Sequence, residues 1–124
     1  MFGRFETDRL MFHWLNRLFY PPIQRSAEHQ WQVEASARSL TLYFLPFCGY
    51  CARVRRVIRH LNVPIEQRNT AKNPEWKREL HLGGGKSQAP CLRIEHPDQV
   101  EWLYESDHII RYLYLRFAPS EIES

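Results

Sequence analysis

Apolar and polar positions follow regular patterns from residue 39 onward, and these patterns predict alternating strands and helices. Residues 40–45 form an almost continuous apolar run, which is typical of a buried strand. Downstream, one apolar stripe repeats at the i, i+3, i+4, i+7 spacing of a helix. The stripe consists of Val54, Val57, Ile58 and Leu61. The remaining predicted elements are a strand over 64–68, a helix over 74–82, strands over 91–95 and 99–103, and a last helix with Ile109, Ile110, Leu113 and Phe117 facing inward.

The order β-α-β-α-β-β-α predicts the fold class. A helical crossover between two strands of one sheet makes those strands parallel, and the later hairpin adds antiparallel strands. Asn73-Pro74 and Ser106 are typical helix starts, because Asn and Ser cap free amides and Pro suits the first turn. We therefore expect an α/β fold with a mixed four-stranded sheet and three flanking helices.

The chain before residue 38 lies outside this pattern. Residues 1–22 carry apolar side chains at helical spacings and end at a Pro-Pro pair, which stops a helix. Three interpretations stay open: a helix docked on the protein itself, peripheral membrane contact by residues 1–22, or contact with a partner. Residues 23–37 form a second helix or a linker, with Ser26 as the candidate N-cap. The predicted division is an N-terminal helical extension over 1–37 and one domain over 38–120.

Hydropathy also bears on the location of the protein. No run of about 18 apolar residues is present, so no transmembrane segment is expected. Charged side chains interrupt the apolar opening stretch, whereas a secretory signal needs about 7–15 apolar residues in succession. These patterns predict a cytoplasmic protein.

Charge narrows the class of partner. The 124 residues include 17 Lys and Arg and 14 Asp and Glu, giving a net charge of +3. This surplus is too weak to predict a nucleic-acid partner. Residues 52–60 nevertheless contain arginines and no acidic residue: Arg53, Arg55, Arg56 and Arg59. They form a solvated helix face, or they raise the local potential and steer anionic partners.

Cys48 and Cys51 form the strongest chemical motif of the chain. Their Cys-x-x-Cys spacing lies at a strand-to-helix junction inside a βαβ unit, which indicates a redox pair in a reducing compartment. Free amides and the positive dipole end at a helix start stabilise a thiolate, so Cys48 is the predicted nucleophile. Cys51 lies one turn further along and is the predicted resolving thiol.

Two other interpretations of the cysteines stay open. A structural zinc site would need two more ligands, and the candidates are Cys91 with one of His60, His81 or His96. Their spacing matches no zinc pattern. Alternatively, both cysteines of the pair are inert core residues. Cys91 itself is expected to be a small apolar core residue, with regulatory oxidation as the alternative.

Three blocks give the chain a resemblance to a known family. They are Phe47-Cys48-Gly49-Tyr50-Cys51, Gly84-Gly85-Lys86-Ser87-Gln88-Ala89-Pro90-Cys91-Leu92 and Tyr104-Glu105-Ser106-Asp107-His108-Ile109-Ile110-Arg111-Tyr112-Leu113. In this order and spacing, residues 39–118 resemble the glutaredoxins, including bacterial members related to glutathione-transferase N-terminal domains. The resemblance implies a thioredoxin-like fold. It also implies glutathione as co-substrate.

The resemblance assigns further residues to glutathione. Pro90 is implied to be a cis-proline that turns the Ala89 backbone toward the cysteines, where it pairs with the cysteinyl part of glutathione. An ordinary trans proline is the alternative. Ser106 and Asp107 are implied to hold the γ-glutamyl carboxylate at a helix N-terminus, and Glu105 or Asp107 to pair with the ammonium group. A plain capped helix is the alternative there, and Tyr50 lies either in the core or at the pocket rim.

The sequence departs from the family at three places. Ala89 replaces the more usual Val, which leaves backbone pairing intact. Leu45 stands where many glutaredoxins have Lys, so Lys86 or Arg53 is the candidate for the glycyl carboxylate. Gly49 stands where Pro is common, and some glutaredoxins with Gly there bind a glutathione-ligated 2Fe–2S cluster across a dimer.

The expected function is a glutathione-dependent thiol–disulfide oxidoreductase, active as a monomer on glutathione and on disulfide-containing proteins. The alternative is a 2Fe–2S cluster-binding glutaredoxin that acts as a carrier or sensor. A glutathione transferase needs an all-helical second domain of about 100 residues. Only residues 119–124 follow the last predicted helix, so no transferase is expected.

Overall fold

A computed structural model of the chain describes residues 21–119. In chain order the elements are α1 (Ala27–Ala37), β1 (Leu40–Phe44), α2 (Gly49–Leu61), β2 (Glu66–Asn69), α3 (Pro74–Gly84), β3 (Cys91–Glu95), β4 (Val100–Tyr104) and α4 (Ser106–Phe117). From residue 39 onward, each of these elements was predicted from the sequence to within about two residues at each predicted boundary. The helix predicted within residues 1–22 lies outside the described residues. In the described part of the chain, no helix is both long and apolar enough to span a membrane.

The four strands form one mixed sheet in the order β2-β1-β3-β4. Strands β1 and β2 are parallel, while β3 is antiparallel to both β1 and β4. This topology, with helices on both faces, is a thioredoxin-like α/β fold, so the predicted fold class is confirmed. Strand β2 forms one edge of the sheet and β4 the other.

The two faces of the sheet are buried by different helices. On one face, Leu42 and Leu92 pack with residues of α2 and α4, such as Val54 and Leu113, in the main core. On the other face, a smaller cluster lies against α3. It contains Tyr43, Leu80, Cys91, Trp76, Trp102 and Tyr104. Because side chains alternate between faces along a strand, β1 contributes to both layers.

Two glycines allow the end of α3 to lie against β4. A Cβ atom on Gly83 would lie 2.1 Å from the Trp102 ring, and one on Gly84 would lie 2.0 Å from the Tyr104 hydroxyl. The Tyr104 hydroxyl also donates a hydrogen bond of 2.8 Å to the Lys86 carbonyl. These contacts hold the end of α3 and Lys86 against β4, and the chain continues from there to β3.

The described part of the extension contacts the ends of two domain helices. Ser26 caps α1 through its side chain, as predicted. Arg25 donates to the Phe117 carbonyl at 2.7 Å, and Gln30 donates to the Asn62 carbonyl at 3.0 Å. The last carbonyls of a helix have no partner within the helix, so these bonds satisfy groups at the C-terminal ends of α2 and α4.

Candidate active site

Strand pairing brings three loops of the predicted site together at one end of the sheet. Tyr43, near the end of β1, pairs with Cys91 at the start of β3, and Cys91 pairs with Tyr104 at the end of β4. The segment after β1, the segment before β3 and the segment after β4 therefore lie at the same end of the sheet. They contain the Cys-x-x-Cys motif, Ala89-Pro90 and Glu105.

Cys48 is the N-cap residue of α2 and is partly exposed. Its sulfur accepts a hydrogen bond of 3.4 Å from the backbone N–H of Cys51. Burial raises the pKa of the Cys48 thiol, but hydrogen bonds from the Cys51 backbone, the Cys51 thiol and the Tyr50 backbone outweigh it. The net pKa is therefore lowered. Because the thiolate is the nucleophilic form, this position suits a nucleophile.

Cys51 differs from Cys48 in both burial and pKa. Its side chain is fully buried, and its sulfur accepts a hydrogen bond of 3.4 Å from the backbone N–H of Leu45. The pKa of the Cys51 thiol is raised to about 11, mainly by burial and in part by the neighbouring Cys48. The raised pKa keeps Cys51 as a thiol, which donates a hydrogen bond to the Cys48 sulfur.

Cys91 lies apart from this pair in the smaller hydrophobic cluster. Its side chain is fully buried against Tyr43 and Leu80. Burial raises the pKa of the Cys91 thiol to about 12, so the thiol stays protonated at neutral pH. This placement fits the predicted core role.

The described residues contain no cluster of side chains that could bind a metal ion. Within residues 21–119, no group of three or more His, Cys, Asp or Glu side chains is arranged to hold an ion. The described part of the chain therefore has no candidate zinc site. Of the three cysteines, two are buried and Cys48 alone is partly exposed. A 2Fe–2S cluster would take one thiolate from this chain and its other ligands from elsewhere, so the cluster stays a prediction from sequence.

The segment before β3 contacts the start of α4 and packs against the same core as Cys48. The Ala89-Pro90 peptide bond is cis, as the resemblance implies. Ala89 and Cys48 are both partly buried side chains that pack against the main core. Gln88 contacts the Glu105 carboxylate at 3.5 Å. Pro90 is buried, so the exposed surface here is formed by the residues before it.

The start of α4 corrects one prediction. Ser106 was predicted to cap the helix, but the N-cap is Glu105, and its side chain makes no capping bond. Glu105 has φ 76°, and this left-handed conformation lets a single residue link β4 to α4. Ser106 is consequently the first helical residue and is buried, at 7% exposure. The backbone N–H groups of Ser106 and Asp107 belong to the first turn, where helical partners are lacking.

An ion pair that the sequence did not reveal joins the starts of two helices. Arg53 of α2 lies 3.2 Å from the Asp107 carboxylate of α4. Both side chains are largely exposed, so the pair adds little stability on its own. It does place a guanidinium group beside the predicted glutathione residues. The partners are 54 positions apart, and no local pattern links them.

The remaining candidates have different environments. Tyr50 is 65% exposed, which excludes the core interpretation and leaves it at the surface beside Cys48. Phe47 is fully exposed and Leu45 is 38% exposed, so two apolar side chains lie at the surface just before Cys48 in the chain. The Lys86 ammonium lies 4.7 Å from the centre of the Tyr104 ring. Tyr104 belongs to the layer covered by α3, so Lys86 lies on that side of the sheet rather than beside Arg53.

A family model described as "Glutathione S-transferase, N-terminal domain" matches residues 42–121, about two thirds of the chain. The matched range includes both members of the cysteine pair, the cis-proline segment and all of α4. A comparison with curated proteins found no match.

Proposed function

The chain belongs to the family of glutathione S-transferase N-terminal domains, and from this premise we propose that it is a glutathione-dependent thiol–disulfide oxidoreductase. Membership implies a glutathione-related redox or transferase role. The single observation that favours redox chemistry is the pairing of Cys48, which has a lowered thiol pKa, with a buried Cys51 thiol that donates to it. Two thiols with such different pKa values are suited to attack and resolution, respectively.

The first step is attack by the Cys48 thiolate on a disulfide. With a mixed disulfide between glutathione and a protein, the thiolate attacks the glutathione sulfur. A new S–S bond joins Cys48 to glutathione, the original S–S bond breaks, and the protein sulfur leaves as a thiolate that takes up a proton. No net oxidation occurs, because one disulfide replaces another.

The second step regenerates Cys48 by one of two routes. A second glutathione thiolate attacks the glutathione sulfur, which releases oxidised glutathione and the Cys48 thiolate. Alternatively, the Cys51 thiol loses its proton and attacks the Cys48 sulfur, which releases glutathione and forms an intramolecular disulfide. Two glutathione molecules then reduce that disulfide. Both routes have the same net reaction: one glutathione thiol is consumed, the protein thiol is released, and oxidised glutathione forms from that glutathione and the one in the mixed disulfide.

In this proposal, glutathione is bound by groups of the three loops at that end of the sheet. In this proposal the Ala89 backbone pairs with the cysteinyl part, next to cis Pro90. The first-turn amides of Ser106 and Asp107 bind the γ-glutamyl carboxylate, because a helix N-terminus favours anions. Glu105 or Asp107 binds the ammonium group, and Tyr50 forms the rim.

The glycyl carboxylate needs a cation, and the two candidates differ in position. Arg53 lies 3.2 Å from Asp107, at the start of α4. Lys86 lies over the Tyr104 ring, on the side of the sheet covered by α3. Position alone therefore does not separate the two candidates, since Arg53 lies at the end assigned to the γ-glutamyl group. A guanidinium group also binds a carboxylate through two parallel hydrogen bonds.

A Cys51→Ser variant tests the proposed function and distinguishes the two routes. If glutathione resolves the intermediate, the variant keeps a rate of mixed-disulfide reduction within about threefold of wild type, since Cys48 still attacks. If Cys51 resolves it, the rate falls at least about tenfold. The measurement is reduction of a glutathione mixed disulfide, coupled to glutathione reductase. Absence of activity in the wild-type protein would contradict the proposed function.

A further inference from the structure

A groove of about 600 Å³ lies behind the cysteine pair, between α2 and the segment that leads into β2. Three arginines line it: Arg55, Arg56 and Arg59. Apolar side chains of Ile58, Val63 and Ile65 contribute to the same lining, and none of the lining residues within the described range 21–119 is acidic. The groove therefore combines positive charge with an apolar surface.

The geometry points to a docking site for an extended acidic segment of a partner protein. This inference rests on the proposed function in one respect: the partner is a protein whose disulfide is presented to Cys48. Ala52 lines the near end of the groove, and its backbone N–H donates to the Cys48 carbonyl at 2.9 Å. Arg59 follows Cys48 by eleven residues, or about 16 Å along a helix. A substrate bound at Cys48 can thus extend along this groove.

The arginines are arranged to meet several carboxylates. Arg55 and Arg59 are four positions apart, so they lie on one helix face. The Arg55 guanidinium donates to the Gln67 side chain at 2.8 Å and lies 4.1 Å from the centre of the Phe44 ring. These contacts hold the side chain over the groove, and neither is to a carboxylate. Among residues 21–119, neither Arg55 nor Arg59 forms an ion pair.

The surroundings favour a peptide over a small anion. The groove follows α2 from Ala52 to Asn62, about 15 Å, which is long enough for several residues of an extended chain and much longer than one small anion. Strand β2 is the terminal strand of the sheet, and no strand within residues 21–119 pairs with its outer edge, where an extended chain could add. Side chains of an extended peptide alternate between two sides. Acidic residues on one side and apolar residues on the other match the two components of the lining.

Binding of a fluorescent peptide to the full-length protein tests this site. The probe is an extended peptide of alternating Glu and Val residues, and its control replaces every Glu by Gln. We expect the acidic peptide to bind at least about tenfold more tightly than the control, in fluorescence anisotropy at about 50 mM salt. The double substitution Arg55→Gln/Arg59→Gln is expected to weaken binding of the acidic peptide by about tenfold.

A charge-matched variant separates a specific groove from general attraction. Arg78→Gln/Arg111→Gln removes two exposed arginines from α3 and α4 and is expected to leave the affinity nearly unchanged. Equal weakening in both double variants would overturn the docking site. Equal binding of the two peptides, tighter binding of a single-stranded oligonucleotide of equal charge, or self-association lost only in the Arg55/Arg59 variant would also overturn it.

Failure of this site and failure of the proposed function give different results. Peptide binding involves no thiol chemistry, so it is measured in Cys48→Ser as well as in wild type, with the same affinity expected. Reduction of a small glutathione mixed disulfide does not use the groove, and the Arg55→Gln/Arg59→Gln variant is expected to keep that activity within about twofold. A wild-type protein that reduces the mixed disulfide but does not bind the acidic peptide would overturn the groove alone.

Discussion

Replacement of Cys48 by serine is expected to lower the rate of glutathione mixed-disulfide reduction by about a thousandfold or more. A serine hydroxyl stays protonated near neutral pH and does not exchange with a disulfide, so the first step is lost. The fold should persist, because serine is itself a good N-cap residue and its oxygen can accept the Cys51 N–H that now bonds to the Cys48 sulfur.

The matched control is Cys91→Ala, which removes the third thiol. Cys91 is fully buried in the cluster covered by α3, so this variant is expected to lose about 1 kcal/mol of stability while keeping wild-type activity. The rates are measured with the coupled assay, and folding is checked by circular dichroism. Cys48→Ser with activity near wild type would contradict the assignment of the nucleophile. So would a folded Cys91→Ala variant that is inactive.

Alkylation of the native protein is expected to modify Cys48 at least about a hundredfold faster than either of the other cysteines. At pH 7 a thiol with a pKa of about 11 is thiolate in about one molecule in ten thousand, and Cys51 is also fully buried. Cys91, with a pKa of about 12 and full burial, should react more slowly still. The lowered pKa of Cys48 gives it a far larger thiolate fraction.

The pH dependence of the reaction follows from the direction of each pKa shift. The rate of Cys48 alkylation by iodoacetamide should rise with pH as thiolate forms. It should level off at a lower pH than for the same cysteine in urea, because folding lowers the pKa of this thiol. Peptide mass mapping of samples taken between about pH 5 and 9 gives this profile. A midpoint at or above the value in urea, or preferential labelling of Cys51, would contradict the proposed division of roles.

Features that depend on neighbouring residues were predicted from the sequence. Asn73 and Ser26 cap helices as expected, since side-chain capping is a local hydrogen bond. The strand over residues 40–44 and the helix after Cys48 follow from short apolar patterns. The position of Cys48 at a helix start comes from the same local information, and the prediction that Cys48 is the nucleophile rests on it.

Features that depend on tertiary packing could not be predicted from the sequence. The Arg53–Asp107 pair forms because α2 packs beside α4, and residues 54 positions apart carry no mutual pattern. The prediction that Ser106 is the cap was wrong by one residue, because the left-handed Glu105 shortens the link after β4. The arginine groove likewise required the position of β2 at the edge of the sheet.

Mass spectrometry after treatment with oxidised glutathione tests the central claim most directly. The full-length protein is incubated with oxidised glutathione, quenched with acid and digested, and the modified cysteine is identified. The proposed function predicts a glutathione adduct on Cys48, or a Cys48–Cys51 disulfide that replaces it, with Cys91 unmodified. A protein that stays fully reduced, or an adduct found first on Cys51 or Cys91, would contradict it.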